Sequence, residues 1–396
     1  IRVRGQDPVR IEVLRSVHGP VIQVDEGSRR AFAAKSSYWN GEHHAIEAIL
    51  RFNRAKSLRE FAAAVPLIRT SHNWFCATQQ GEIGYWFGGW FPLRAPGIDP
   101  RFPTPGTGEK EWRGFRRFDC CPQAIDPKSG VIANWNNKPA IWWDHGDAPA
   151  WGAIHRVSTI QQRLARPGLL TVSDLRAIVR EIGIQDQRLP LLPPLLRAAE
   201  GAKLSSAATL AIAHLRAWDG LATDGSVAKR IFDQYLEELM TTIFADELGP
   251  LLDRRLRSQP IWPTLMLRAI QGKQAAVPLR RDYLNGKPAR TVMLAALEKA
   301  CATLRERYGP EVGHWRYTQE WIEALRPLPP IPRTDRGTYI LIVELCRPEV
   351  IGESILPPGQ SEDPRSPHYG DQRELAGYWR FKPMWFDPRG FGAEAR

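Results

Sequence analysis

Three asparagine side chains stand close together in the stretch GVIANWNNKPA, residues 130 to 140. The apolar residues 131–133 predict a buried strand, and Asn134, Asn136 and Asn137 follow it. An asparagine N–H at a strand end can donate to a developing oxyanion, which contributes roughly 3 kcal/mol to a transition state. Such amides can instead bond loop carbonyls or hold a left-handed turn. The residues alone favour this structural alternative.

Other patterns of hydrolase chemistry are weak in this chain. It has no G-x-S-x-G elbow, no P-loop and no G-x-G-x-x-G. Ser226 and Lys229 match S-x-x-K, but no K-T-G follows, so the start of a helix explains the pair better. Arg156 follows WGAIH at a predicted helix start, where the default interpretation is a surface charge.

Two groups of residues have the chemistry of metal ligands. His43 and His44 follow Glu42 at a predicted helix start, where adjacent side chains point apart and the spacing does not suit zinc. Asp144 and Asp147 lie in the loop DHGD, and their hard oxygen ligands would suit calcium better than zinc. For both groups, solvated surface residues remain the favoured interpretation.

The composition indicates a globular protein of one large or two medium domains. The chain has 396 residues, 43% hydrophobic and 24% charged. No apolar run is long enough for a membrane helix, and residues 1–10 lack the apolar core of a signal peptide. The net charge of +11 comes from dispersed arginines, which does not favour nucleic acid as a partner. Five cysteines without a C-x-x-C spacing exclude zinc-ribbon and thioredoxin motifs and leave the redox compartment open.

Hydrophobic periodicity predicts an α+β protein. Strands are predicted within 9–13, 21–24, 31–34, 73–91 and 338–345, and helices within 41–65, 171–184, 206–217, 226–247, 290–307 and from 371. We predict one domain whose sheet is completed by the C-terminus. Within it, residues 1–150 are mainly strands and loops, 151–330 are mainly helical, and 331–396 hold a returning strand and a short helix.

Eight blocks in order along nearly the whole chain resemble the penicillin acylase (penicillin amidase) family of N-terminal-nucleophile hydrolases. They are RSVHGPVIQVD (15–25), NWFCATQQGEIGYWFGGWFP (73–92), DPRFPTPGTGEKEWRGF (99–115), GVIANWNNKP (130–139), WGAIHRVSTI (151–160), RGTYILIVEL (336–345), PPGQS (357–361) and HYGDQ (368–372). The resemblance implies the αββα sandwich of that superfamily, with a large helical section. It also implies that the N-terminal strands and the small chain lie outside this sequence.

The family resemblance implies hydrolysis of a linear acyl amide by the N-terminal Ser of a self-processed large chain, whose own α-amino group is the base. It implies that Asn136 donates to the oxyanion and that Arg156 supports the nucleophile and oxyanion region. For a structural calcium ion it implies the Pro100 carbonyl and an aspartate, Asp147 first and Asp144 second. It further implies a periplasmic or secreted protein.

The sequence departs from the family pattern in two respects. The chain begins at Ile1 and no residue matches the N-terminal Ser. We therefore expect this chain alone to be inactive, with the small chain and the N-terminal part of the large chain as partners. Ile49 and His72 stand at acyl-pocket positions where phenylacetyl-preferring members carry Trp and Ile. Alternative substrates are thus an N-acyl homoserine lactone or a cephalosporin side chain, and a further alternative is an inactive scaffold that binds acyl compounds.

Overall fold

The computed structural model describes residues 1–144, 146, 151, 154–166, 168–252, 261–323, 328–334 and 339–386. The chain forms two compact units, Ile1–Trp151 and Gly152–Arg396. In the described part of the chain, no helix is long and apolar enough to cross a membrane. All five cysteines are free thiols.

The unit Ile1–Trp151 holds two antiparallel three-stranded sheets, with orders β1-β2-β3 and β4-β5-β6. Two helices connect them. The elements are β1 (Arg15–Ser16), β2 (Gly19–Asp25), β3 (Arg30–Ala33), α1 (His43–Arg54), α2 (Leu58–Ala64), β4 (His72–Ala77), β5 (Ile83–Gly88) and β6 (Gln123–Ile125), with 3-10 turns at Val65–Leu67 and Phe118–Cys120.

Strand β5 is the centre of this unit because both of its faces are buried. Tyr85 and Phe87 point to one face, where they pack with Phe91 and Trp143. Trp86 points to the other face and packs with residues of α2 and the following turn. Since side chains alternate along a strand, one short aromatic run builds two separate cores.

The unit Gly152–Arg396 is mainly helical in its first half. Its helices are α3 (Ile154–Leu164), α4 (Val172–Ile184), α5 (Leu192–Ala199), α6 (Ser206–Ala217), α7 (Val227–Leu248), α8 (Trp262–Gln271), α9 (Ala289–Tyr308) and α10 (Arg373–Gly377), with 3-10 turns at Leu189–Leu191, Gly249–Leu251, Gly272–Gln274 and Val312–His314. The largest hydrophobic cluster gathers around α7 and α9, which pack on each other.

The local start signals of these helices are confirmed. The Thr171 side chain accepts the N–H of Asp174, and the Asp174 carboxylate accepts the backbone N–H of Thr171, which is a complete capping box. The Ser226 hydroxyl accepts the N–H of Lys229 at 3.2 Å. The S-x-x-K pattern is therefore the N-terminal cap of α7, as we interpreted it.

The C-terminal strands form β7 (Trp321–Ile322), β8 (Ile331–Pro332), β9 (Ile340–Glu344), β10 (Ile351–Ile355) and β11 (Lys382–Met384). We expected the strand of residues 338–345 to complete the N-terminal sheet. Within the described ranges it pairs instead with β10, in a separate sheet of order β11-β10-β9. Periodicity identifies a strand but carries no information on its partner, which explains the difference.

Two other predicted strands are wrong. Val9, Ile11 and Val13 belong to no strand and are 49%, 57% and 71% exposed. Residues 131–133 are half-buried but also have no strand pairing among the described residues. Apolar alternation signals a surface that suits burial, whereas a strand also needs a neighbouring backbone to bond.

Candidate active site

The asparagine-rich segment forms a turn in which two of the three amides bond the backbone. Asn134 Oδ1 accepts the N–H of Asn136 at 2.9 Å, and Asn134 Nδ2 donates to the carbonyl of Asn137 at 3.2 Å. Asn137 Oδ1 accepts the N–H of Trp135 at 2.8 Å, and its Nδ2 donates to the carbonyl of Lys138 at 3.1 Å. Each of these two side chains thus uses both ends of its amide to fix the turn.

Asn136 differs from its neighbours in conformation and in bonding. Its φ is +58°, in the left-handed region that asparagine tolerates better than most residues. Its residue surface is exposed, and its side chain makes no hydrogen bond to any described residue. The turn therefore presents one unoccupied amide, with an N–H donor, on a backbone that its neighbours hold in place.

The aromatic cluster beside β5 packs against the residues that flank this turn. Ile132 and Ala140, on either side of the turn, pack against the cluster that contains Phe87 and Trp143. Lys138 Nζ also donates to the carbonyl of Ile141 at 2.9 Å. Since the segment has no strand pairing of its own, side-chain packing and amide bonds hold it.

The two predicted acyl-pocket residues lie on elements of the same unit. Ile49 is on α1, where it forms an exposed apolar stripe with Ile46 and Leu50 at helical spacing. His72 begins β4 and is exposed, with its ring perpendicular to Trp74 at a centroid distance of 6.1 Å. Helix α2 packs against both α1 and β4, so it fixes the elements that carry the two residues.

Arg156 is the third residue of α3, and its side chain is half-buried. The predicted position at a helix start is confirmed. Helix α3 is held on α4 by a bidentate ion pair from Arg163 to Glu181, at 2.8 and 2.7 Å. The Thr159 hydroxyl adds a bond of 3.0 Å to Gln185. The supporting role of Arg156 stays a prediction.

The described residues of the predicted calcium loop offer an incomplete ligand set. Gly146 lies close to Pro100 and Arg94. A Cβ atom added to Gly146 would be 3.4 Å from the Pro100 ring and 3.5 Å from the Arg94 guanidinium. Asp144 already accepts the Gly146 N–H at 2.9 Å, and Asp147 lies outside the described residues. Calcium takes about six to eight oxygen ligands, so the residues described at this loop do not suffice by themselves.

The carboxylate that precedes Pro100 is already paired and so adds no free ligand to this loop. A side-chain hydrogen bond from Arg101 is the main cause that lowers the pKa of Asp99 to about 2. This carboxylate is ionised but already paired, with Arg101 Nε 2.8 Å from Oδ1.

At the other candidate metal position, His44 lies 3.5 Å from Glu47. The described residues contain no group of three or more metal ligands.

A group of four charged residues in the unit Gly152–Arg396 was not predicted from the sequence. Asp186, Arg188, Lys229 and Asp233, here called the ion cluster, bond one another at the N-terminal part of α7. The i, i+4 spacing of Lys229 and Asp233 on a predicted helix was a readable signal for half of it. No local signal indicates that residues 186 and 188 close the group.

We predict that Asn137 and Asn136 of the turn respond differently to substitution. Asn137→Ala removes the acceptor of the Trp135 N–H and should cost about 1–2 kcal/mol of unfolding free energy. Asn136→Gly removes no hydrogen bond and relieves the left-handed conformation, so it should cost less than about 0.5 kcal/mol. Urea unfolding and hydrogen exchange of the 130–140 segment measure both. Equal costs for the two variants would contradict this division of roles.

Comparisons with known proteins agree on one family. The penicillin amidase family model matches residues 1–392. The chain is 31% identical to penicillin G acylase of Escherichia coli over 80% of its length, and 24% identical to an acyl-homoserine lactone acylase of Pseudomonas putida over 81%. It spans 40% of the length of each of these relatives.

A solved structure extends the agreement to the fold. The thermostable penicillin G acylase of Alcaligenes faecalis matches with a TM-score of 0.87 and 26% identity, over 100% of this chain and 79% of that one. This match confirms the predicted α+β class and the N-terminal-nucleophile hydrolase fold. With the family model covering nearly every residue, the chain belongs to the penicillin amidase family.

Proposed function

We propose that this chain supplies the oxyanion-binding part of an amide hydrolase of the penicillin acylase type. The observation that carries the proposal is the turn in which the amides of Asn134 and Asn137 are occupied and that of Asn136 is not. When a hydroxyl oxygen attacks an amide carbon, the carbonyl oxygen gains negative charge. A donor already fixed where this charge develops stabilises the transition state without reorganising.

We also propose, on the family resemblance, that Arg156 has a supporting role. A guanidinium remains protonated at any pH at which a protein folds, so it favours an anionic intermediate without taking part in proton transfer. We propose that Asn136 donates directly to the oxyanion and that Arg156 orients or stabilises the groups around it.

We propose that the nucleophile is carried by a segment other than this chain. We propose an N-terminal Ser whose hydroxyl attacks the acyl carbon while its own α-amino group takes the proton, and later returns it to the leaving amine. The segment that carries it and the family's small chain are the proposed partners. We do not propose nucleic acid or a membrane as a partner. We also propose export to the periplasm or beyond the cell, which the family membership supports.

We expect Asn136→Ala to lower kcat for acyl-amide hydrolysis by roughly 10²–10³-fold, with a smaller effect on KM. The variant should be made in the chain co-expressed with its complementary nucleophile-bearing segment. Release of the free amine from an acyl amide measures the rate.

Gln274→Ala is a matched control, because this exposed amide also makes no hydrogen bond to the described residues and is not a proposed site residue. It should retain the full rate. An Asn136→Ala enzyme that folds and keeps the full kcat would overturn the assignment of the oxyanion donor.

A second candidate is hydrolysis of N-acyl homoserine lactones. The similarity to the acyl-homoserine lactone acylase of Pseudomonas putida favours it. So do Ile49 and His72, since they replace the Trp and Ile of phenylacetyl-preferring members. Ile49 is 50% exposed and belongs to an aliphatic stripe, which suits an alkyl chain as well as an aromatic ring.

We predict that the assembled enzyme prefers a straight alkyl acyl group to phenylacetyl. The kcat/KM values for N-octanoyl homoserine lactone, penicillin G and a cephalosporin with a linear side chain compare the three classes. Substituting Ile49→Trp should shift the ratio towards penicillin G. A wild-type preference for penicillin G, unchanged by Ile49→Trp, would contradict the role given to this position.

We further propose that calcium has a structural role in the assembled hydrolase, with this chain contributing the Pro100 carbonyl and Asp147, or else Asp144. Added calcium should then raise the Tm of the assembled, chelator-stripped enzyme, because a ligand that binds only the folded state stabilises it. Asp147→Asn should abolish the rise, and Asp144→Asn serves as the matched variant. A calcium response that survives both substitutions would exclude this loop.

A further inference from the structure

A large cleft opens in the helical unit, lined by residues that the proposed hydrolase chemistry does not use. Its volume is about 1070 Å³, which is ample for a small organic molecule. The C-terminal end of α4, the turn that follows it, and helices α7 and α8 form its walls. Every lining residue that the structure describes belongs to the unit Gly152–Arg396.

The ion cluster forms one wall of this cleft and is internally neutral. Arg188 donates to Asp186 through Nε at 2.9 Å and Nη2 at 2.5 Å, and also bonds Asp233. Lys229 Nζ donates to Asp233 at 2.5 Å and lies 3.3 Å from Asp186. Burial by itself would raise the pKa of Asp186, but the Arg188 and Lys229 charges outweigh it and hold the pKa below its usual range. Both cations are therefore already matched by carboxylates.

Among the described lining residues, Glu237 is the charged residue that forms no ion pair. It lies one helical turn beyond Asp233 on α7, and its residue surface is exposed. Its carboxylate makes no ion pair or hydrogen bond with the described residues. The remaining lining charges, Glu320 and Arg333, lie 3.5 Å from each other. Among the described lining residues, Glu237 thus leaves one net negative charge, in a chain whose net charge is +11.

The wall beside Glu237 is apolar and polarisable. Met240 lies three residues after Glu237, on the same side of α7. Trp262 and Met266 of α8 line the cleft as well, and like Met240 they belong to the buried core, with 6%, 1% and 8% of their surfaces exposed. Thioether and indole groups suit an aromatic or alkyl body, and an indole ring also attracts a neighbouring cationic group.

From these contacts we infer that the cleft binds an organic cation with an apolar body, of the arylalkylammonium class. The ammonium group pairs with Glu237, and the apolar body lies against Met240, Trp262 and Met266. The site does not depend on the proposed amide hydrolysis, because no residue of the turn around Asn136 takes part in it.

Two other classes of ligand fit the cleft less well. An organic anion would have to displace Asp186 or Asp233 from Arg188 and Lys229, since those two cations are already paired. Among the described lining residues, Glu237 is the one carboxylate without a partner, and the described part of the chain holds no group of three metal ligands, so a divalent metal ion would lack a ligand set. Only an organic cation uses both the free carboxylate and the apolar wall.

The four methionines of the chain permit a direct test. Met240 and Met266 line the cleft, whereas Met293 on α9 and Met384 on β11 do not. In the purified chain labelled with ¹³C-methyl methionine, 2-phenylethylammonium should shift the Met240 and Met266 resonances in a saturable way and leave the other two in place. Met→Leu variants assign the signals.

Two comparisons isolate the role of the charge. Neutral 2-phenylethanol should bind about fivefold more weakly than 2-phenylethylammonium, and 3-phenylpropanoate more weakly still, as expected for one solvent-accessible ion pair. Glu237→Gln should lower the ammonium affinity by the same factor. Glu306→Gln, which changes an exposed glutamate on α9 away from the cleft, should not change it.

Equal binding of the three compounds would overturn the inference, because it would show apolar contact without charge recognition. The absence of a saturable shift at Met240 and Met266 would also overturn it, as would Glu237→Gln binding like the wild type. Because the readout is binding and not hydrolysis, a failure here is independent of the amide hydrolase proposal.

Discussion

The candidate active site depends on reciprocal hydrogen bonds between asparagine side chains and the backbone of residues 134–138. Asn134 and Asn137 each act as donor and acceptor within five residues, so they replace the partners that a sheet would otherwise supply. The left-handed conformation of Asn136 follows from this bracing. Such a conformation normally costs free energy, and it persists where the surrounding contacts determine it.

Bracing by side chains alone would leave the turn free to move as a unit, and the core beside β5 prevents this. Phe87 packs against Trp143 and Phe91 with centroid distances of 6.0 and 5.4 Å. Residues on both sides of the turn pack on this group. Since aromatic pairs combine large buried area with directional contacts, they fix the position of a segment that lacks regular secondary structure. The conformation of the turn is thus fixed by its amide hydrogen bonds, and its position is fixed by packing on the aromatic side chains.

The elements that the sequence predicted correctly are those whose signals are local. Helices such as α4 and α7 carry their periodicity and their caps within a few residues, and both begin where Thr171 and Ser226 predict. The strands expected at residues 9–13 and 131–133 failed because pairing depends on distant backbone. The chemistry of the three asparagines favoured a structural role for all of them. The structure assigns that role to two, and only the family resemblance distinguished Asn136 in advance.

The turn and the ion cluster share one physical logic, although their chemistry differs. In each, buried or half-buried polar groups satisfy one another: amides with backbone in the turn, guanidinium and ammonium with carboxylates in the cluster. Each arrangement has a neighbouring polar side chain that takes no part, Asn136 beside the amides and Glu237 one turn beyond Asp233. A group that gains nothing from the fold is free to interact with a ligand, whereas its bonded neighbours could do so only by losing partners. The hydrogen bonds of each residue therefore distinguish groups with a structural role from groups that can bind a ligand. Residue type and spacing did not make this distinction.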